Sequence, residues 1–142
     1  MNVLIVEPGK MPYEKDIPSG LASLQAIVGG LIEPYYPFAY DPVAIICNEE
    51  GKINGMDLNR AIYNEDGKMV EIMAGPFIMA GIGEQDFTDL PPGMMEKYKE
   101  KFKHPEAFRR LAGQIVVIKQ PIPQQDKDAA EQGQPPKGGP EL

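Results

Sequence analysis

Two stretches of the chain are nearly the same phrase: ICNEEGKI, starting at Ile46, and IYNEDGKM, starting at Ile62. In each, an apolar run meets Asn, two carboxylates and a Gly, and a Lys then leads back into apolar residues. Asn and Asp tolerate turn conformations, and Gly supplies the positive φ that closes a tight hairpin. Hairpin tips at residues 48–51 and 64–67 therefore account for both copies, and they confine the chain to short strands joined by sharp turns. The competing reading is chemical. Paired acids hydrolyse a bond only when held about 5–9 Å apart with one pKa raised. Glu49 and Glu50 are adjacent, and in a turn their side chains diverge into solvent, so a hydrolase built on them is the weakest of the functional readings.

The other segments follow from punctuation and period. Residues 3–6 read as a short buried strand stopped by Pro8-Gly9, and the turn-rich stretch after it as a surface wrap. A helix follows, with Asp16 or Ser19 as N-cap and Leu21, Leu24 and Val28 on one face. Gly29-Gly30 stops it. LIEPYYPFAY is an edge strand, since Pro34 and Pro37 cannot serve a central one, and PVAIIC is a buried strand. Asn54-Gly55 marks a further turn, followed by one helical turn around Leu58, Asn59 and Arg60. MVEIMAGPFIMAGIG gives two strands broken at Gly75-Pro76. Pro91 or Pro92 opens a second helix whose apolar stripe is Met94, Met95, Tyr98 and Phe102, with Lys97, Lys99, Lys101 and Lys103 around it. A short helix through Phe108, Arg109 and Arg110 and a last strand, QIVVI, complete the ordered part. The expected fold is one α+β domain over residues 1–118, a mixed or mainly antiparallel sheet of five to six strands with tight hairpins packed against one or two helices. Residues 119–142 are rich in Pro, Gly and Gln and too poor in large apolar side chains to offset ordering entropy, which predicts a disordered tail.

Composition excludes several chemistries. With one Cys and one His in the chain, neither a disulfide nor a zinc site is expected. Cys47 reads as a small buried hydrophobe; a nucleophilic pair with His104 requires the fold to join them. GIGEQD fails as a dinucleotide loop because its third glycine position is Asp86, and no phosphate loop or EF-hand register fits. No cofactor or metal is expected. The N-terminus lacks the basic lead of a secretory signal, and the apolar, uncharged run at residues 72–83 falls short of the ~20 residues that span a bilayer. A cytoplasmic, non-membrane protein is the expectation.

Net charge is −7, unevenly placed: residues 1–90 carry 14 acids and 5 bases, residues 91–118 carry 3 acids and 6 bases. The lysines of the second helix form a solvated face, and its aromatics share the buried stripe, so nucleic acid is not an expected partner. As a monomer the acidic body is too thin in charge to mimic DNA, which carries one charge per ~1.7 Å.

LQAIVGGLIE, ICNEEGKINGMDLNRAI, IMAGPFIMAGIGEQDF and EKYKEKFKHPEAF, in that order, resemble domain-of-unknown-function family 3846, small proteins common in bacteriophages, plasmids and conjugative elements. The resemblance covers roughly residues 1–110 and implies an accessory protein of a mobile element working inside a bacterial cell; no catalytic residue is carried over. In that setting the first functional expectation is a binding protein, with homo-oligomerisation open, that sequesters a small nucleotide-like signal of host defence. Gly29, Gly30, Asn48, Asn59 and Arg60 are the ligand-binding candidates, converging on one rim, with Arg60 on phosphate and the glycines allowing close approach. For Arg60 the competing reading is a surface ion pair with Asp57 or Glu50. The alternative function is an acidic inhibitor or regulator docking on a host protein.

Overall fold

Strand alternation sorts the central apolar runs into two sets, and each set has its own cover. The computed structural model describes residues 1–123. In chain order the elements are β1 (Asn2–Val6), β2 (Tyr13–Asp16), α1 (Leu21–Val28), β3 (Ile32–Tyr35), β4 (Val43–Asn48), β5 (Leu58–Tyr63), β6 (Met69–Ala74), β7 (Phe77–Ile82), β8 (Phe87–Thr88), α2 (Pro92–Lys101), β9 (Glu106–Leu111) and β10 (Gln114–Lys119). A six-stranded sheet runs in the order β2-β1-β7-β4-β3, with β8 added on β7; β5-β6 and β9-β10 form two-stranded ribbons. All described pairings are antiparallel.

Val3, Ile5, Ile46, Ile78 and Ala80 point to one face of the sheet, where Ile17 and the α1 residues Leu24 and Val28 cover them. Leu4, Val6, Ile45, Phe77 and Met79 point to the other, under Met95, Tyr98 and Phe102 of the α2 segment and Ile62 and Met73 of the β5-β6 ribbon. Because both faces are covered, β4 is buried at every position and reads as an unbroken apolar run. Each large side chain so buried contributes about 1.5–3 kcal/mol. Phe77 and Phe102 meet edge to face at 5.4 Å, and Phe38 lies 5.0 Å from Tyr98.

The expected α+β class holds, with six strands in the central sheet and two helices. β3 is an edge strand, as its proline requires. Several local expectations are corrected. Residues 13–16 form β2 rather than a turn-rich wrap, because Glu14, Lys15 and Asp16 are exposed while the backbone pairs with β1. α1 has no side-chain cap: Gly20 occupies the N-cap, and the Asp16 carboxylate takes the N-terminal ammonium at 3.1 Å instead. Leu58, Asn59 and Arg60 belong to β5, not to a helical turn; tertiary pairing with β6 overrides the local signal. Phe108, Arg109 and Arg110 likewise sit in β9, which folds back on β10 through a two-residue turn. Order also continues past 118, since Lys119 ends β10 and the Gln120 N–H donates to Pro105 O at 2.7 Å. The rest of the expected tail, from 124 onward, lies outside the described residues. Among the described residues no helix is long and apolar enough to cross a membrane.

Candidate functional site

Each of the two duplicated phrases lines a hollow in the surface. The first, about 260 Å³, is lined by Cys47 through Ile53 together with Glu33 and residues 71–74 of β6. Asn48 sits at its back as a bracket. Its Nδ2 donates to Val28 O at 3.1 Å, at the end of α1, and its Oδ1 accepts from the Glu50 N–H at 2.7 Å, closing the turn. Glu49 and Glu50 are both exposed, so neither is desolvated as an acid catalyst requires. Lys52 pairs with Glu71 at 2.5 Å. Burial, with Glu33 and Glu71 nearby, pushes the Cys47 thiol up to about 11. It therefore stays protonated at neutral pH and is no nucleophile. His104 is occupied at the base of the β9-β10 ribbon, with Nδ1 3.0 Å from Gln120 O.

The second hollow, about 220 Å³, lies between the second phrase and α2. It is lined by Phe38, Tyr40, Asp41, Tyr63, Asn64, Glu65, Lys97, Tyr98 and Lys101. Its polar groups are organised. Asp41 Oδ2 accepts from Lys97 Nζ and from Tyr98 Oη, each at 2.6 Å, and these two donors hold the Asp41 carboxyl below the usual carboxylate range. Burial, then the bond to Asp41, raises the Tyr98 phenol. The Glu65 carboxylate accepts from the Ala39 N–H. Lys101 rests 5.3 Å from the Phe38 ring centroid and, alone among the four lysines of the α2 segment, pairs with no carboxylate among the described residues. Tyr40 is 86% exposed at the margin.

The five residues expected to share one rim fall into two structural brackets. Gly29 ends α1 in the left-handed conformation, φ 84°, and a Cβ on Gly30 would come within 2.9 Å of Asn48 Nδ2. These three form the α1–β4 junction. Asn59 and Arg60 are fully buried elsewhere. Asn59 Nδ2 donates to Val6 O and Gly75 O, both at 2.9 Å, and its Oδ1 accepts from Arg60 Nη1 at 2.8 Å. The Arg60 guanidinium donates to Phe102 O at 2.9 and 3.2 Å and to Lys10 O at 2.6 Å. It caps the C-terminal end of α2, where a cation is favoured. Burial pushes Arg60 down to about 10, which leaves it charged at neutral pH. Its donors are committed to the protein's own carbonyls, and it pairs with neither Asp57 nor Glu50. Polar residues next to strand ends had suggested a rim; the sequence carried no sign that β5 runs under α2. Of the five, Asn48 lines the first hollow; the second is lined by Tyr40, Tyr63 and Lys101, from the PYYPFAYDP run, the β5 end and α2. The exposed aromatic in a proline-broken run was the one available signal.

Among the described residues no three His, Cys, Asp or Glu side chains come close enough to hold a metal ion. Fold and site together define a small α+β protein with aromatic and charged surface hollows. The chain belongs to the family described as a domain of unknown function, DUF3846, whose model matches residues 1–103. That match ends just after α2, so the β9-β10 ribbon lies beyond it. No curated protein and no solved structure matches the chain.

Proposed function

We propose that this protein acts by binding, and that it captures a small nucleotide-like ligand in the hollow beside α2. One observation carries the reading: the exposed ring of Tyr40 and the Lys101 ammonium, which forms no salt bridge among the described residues, line the same concavity. Aromatic faces stack on a base for about 1–3 kcal/mol each, and a lysine supplies a point charge for phosphate. Asp41 keeps lone pairs beyond those used by Lys97 and Tyr98, and these suit a base's N–H donors. The volume of about 220 Å³ lies below the ~300 Å³ lower end of drug-sized pockets, which favours a mononucleotide-sized group over a dinucleotide. As a mobile-element accessory protein, the role its family resemblance implies, it would sequester a nucleotide signal of host defence. Of the five residues first singled out, none lines this hollow, and Asn48 lines the first.

A thermal-shift and calorimetric screen against cyclic and ADP-ribose-type nucleotides tests this. A binder raises the Tm by mass action, and Tyr40→Ala and Lys101→Glu, both at the surface, abolish the shift while leaving the unliganded Tm within a few degrees. No shift with any nucleotide overturns the reading. A second reading rests on a different observation: Glu33, Glu49 and Glu50 border the first hollow with no basic partner among the described residues. That edge suits a basic host protein, and such binding would weaken steeply with ionic strength.

A further inference from the structure

We infer that the β9-β10 ribbon is a dimerisation arm, on which β10 pairs edge to edge and antiparallel with β10 of a second copy. Natural sheets protect their edges with charge, proline or bulges. The central sheet of this protein does so: one edge strand, β2, carries Glu14, Lys15 and Asp16, and the other, β3, carries Glu33 and Pro34. β10 has only Lys119, at its end: from Gln114 to Ile118 it has no charge, no proline and no glycine, and Ile115, Val116, Val117 and Ile118 are all β-branched. It pairs only with β9 among the described residues.

The turn sets which backbone groups are free. Ala112 and Gly113 have φ of 51° and 80°, the signature of a two-residue type I′ hairpin, in which the flanking residues Leu111 and Gln114 bond each other. Gln114, Val116 and Ile118 then turn their N–H and C=O inward to β9. The Gln120 N–H, in the same phase, does reach Pro105 O. Ile115, Val117 and Lys119 turn theirs outward, to an edge that no strand among the described residues occupies. One face of the ribbon is also bare: Leu111, Val116 and Ile118 are 58, 38 and 40% exposed. β9 is held against β5, where the Ala61 N–H donates to the Glu106 carboxylate at 2.8 Å, and a partner strand on β10 covers the apolar residues that this packing leaves in water.

Charge selects the occupant. Pairing centred on Val117 sets Lys119 against Ile115 of the other copy, so no like charges oppose across the seam. Arg109 and Arg110 stay on the outer strands, about 14 Å apart across three strand spacings, beyond a Debye length of ~8 Å at physiological salt. A nucleic acid would meet those arginines but also the −9 of residues 1–90. A basic strand would be repelled by the same arginines. The edge of an identical chain, uncharged from Gln114 to Ile118, meets neither penalty, and a two-fold axis makes the contact self-complementary.

The test is hydrogen exchange on the full chain across protein concentration, with sedimentation alongside. The outward amides of Ile115, Val117 and Lys119 should gain at least about tenfold in protection between about 1 and 100 µM, as mass action requires, while the mass doubles. Val117→Pro, which removes an outward donor that the hairpin does not use, and Val116→Lys, which leaves every backbone group in place, should both give monomers with exposed outward amides and an intact fold by circular dichroism. Protection that is independent of concentration means the chain's own C-terminal residues cover the edge. Protection only with an added oligonucleotide means the ribbon serves nucleic acid. Exposure at every concentration means nothing covers it, and a dimer indifferent to both variants pairs elsewhere. Each of these four results overturns the inference.

Discussion

The same four-residue phrase does different work at its two occurrences. At residues 64–67 it is a hairpin tip: Asn64 Oδ1 accepts from the Asp66 and Lys68 N–H groups at 3.0 Å, Gly67 has φ 77°, and a Cβ there would meet nothing within 4 Å. At residues 48–51 the strands on either side do not pair at all. β4 lies between β3 and β7, and β5 belongs to a separate ribbon, so this turn carries the chain off the central sheet. Here Asn48 is buried against α1, and the need for Gly51 is space, since a Cβ would stand 2.8 Å from Ala74 O. Local chemistry specified a turn twice. What each turn connects was decided by packing.

The largest difference between the copies should come from the asparagines. Asn48→Ala strips a buried carbonyl of its donor and opens the turn, which should cost about 2–3 kcal/mol. Asn64→Ala exposes its former partners to water and should cost about 0.5–1 kcal/mol. Urea unfolding of the two variants measures both values, and equal losses would break the distinction between a bracket and a tip.

Next in size are the glycines, where the identity of the substitution is the diagnostic. Gly51→Ala must push apart backbone that is already in contact, at about 1–3 kcal/mol, and Gly51→Asn should be worse. Gly67→Ala meets only the left-handed backbone penalty of about 1–2 kcal/mol, which Asn largely escapes. The order Ala worse than Asn at 67, and Asn worse than Ala at 51, is what thermal melts should return. The same order at both sites would mean that both glycines serve one purpose.

This contrast explains how much of the molecule could be read before its structure. Strands β1, β4, β6 and β7, both helix bodies and the edge position of β3 follow from period and proline; in β1, β4 and β7 burial on two faces writes continuous apolar runs. QIVVI is legible as the strand β10, but its hairpin with β9 is not, because the turn is Ala-Gly, without the Asn that normally announces a type I′ turn. Asn59 and Arg60 were misplaced because polar residues signal a surface unless their partners are known. Those partners, Val6, Lys10, Gly75 and Phe102, are backbone carbonyls scattered along the sequence, and no side-chain pattern encodes them.

Acid should separate the two hollows by a smaller margin. Beside the second phrase, Asp41 is held low by Lys97 first and Tyr98 next. Beside the first, burial pushes Glu71 up, and only the bonds from Lys52 and the Ile72 N–H bring it below the usual range. A carboxylate lowered in the folded state stabilises it above its unfolded pKa, ~3.9 for Asp, and that stability is lost as pH falls through the folded value. Asp41→Asn should therefore lower stability at pH 7 by up to about 1 kcal/mol, the scale of a partly exposed ion pair. Its deficit should shrink once the pH drops below about 4, where the unfolded wild-type chain takes up a proton at Asp41 before the folded one does. Glu71→Gln should show a smaller deficit with the same trend, since removing that carboxylate also relieves its burial. Unfolding curves at neutral and acid pH compare the two; a deficit for Asp41→Asn that persists undiminished in acid would show that its contacts with Lys97 and Tyr98 do not depend on its charge.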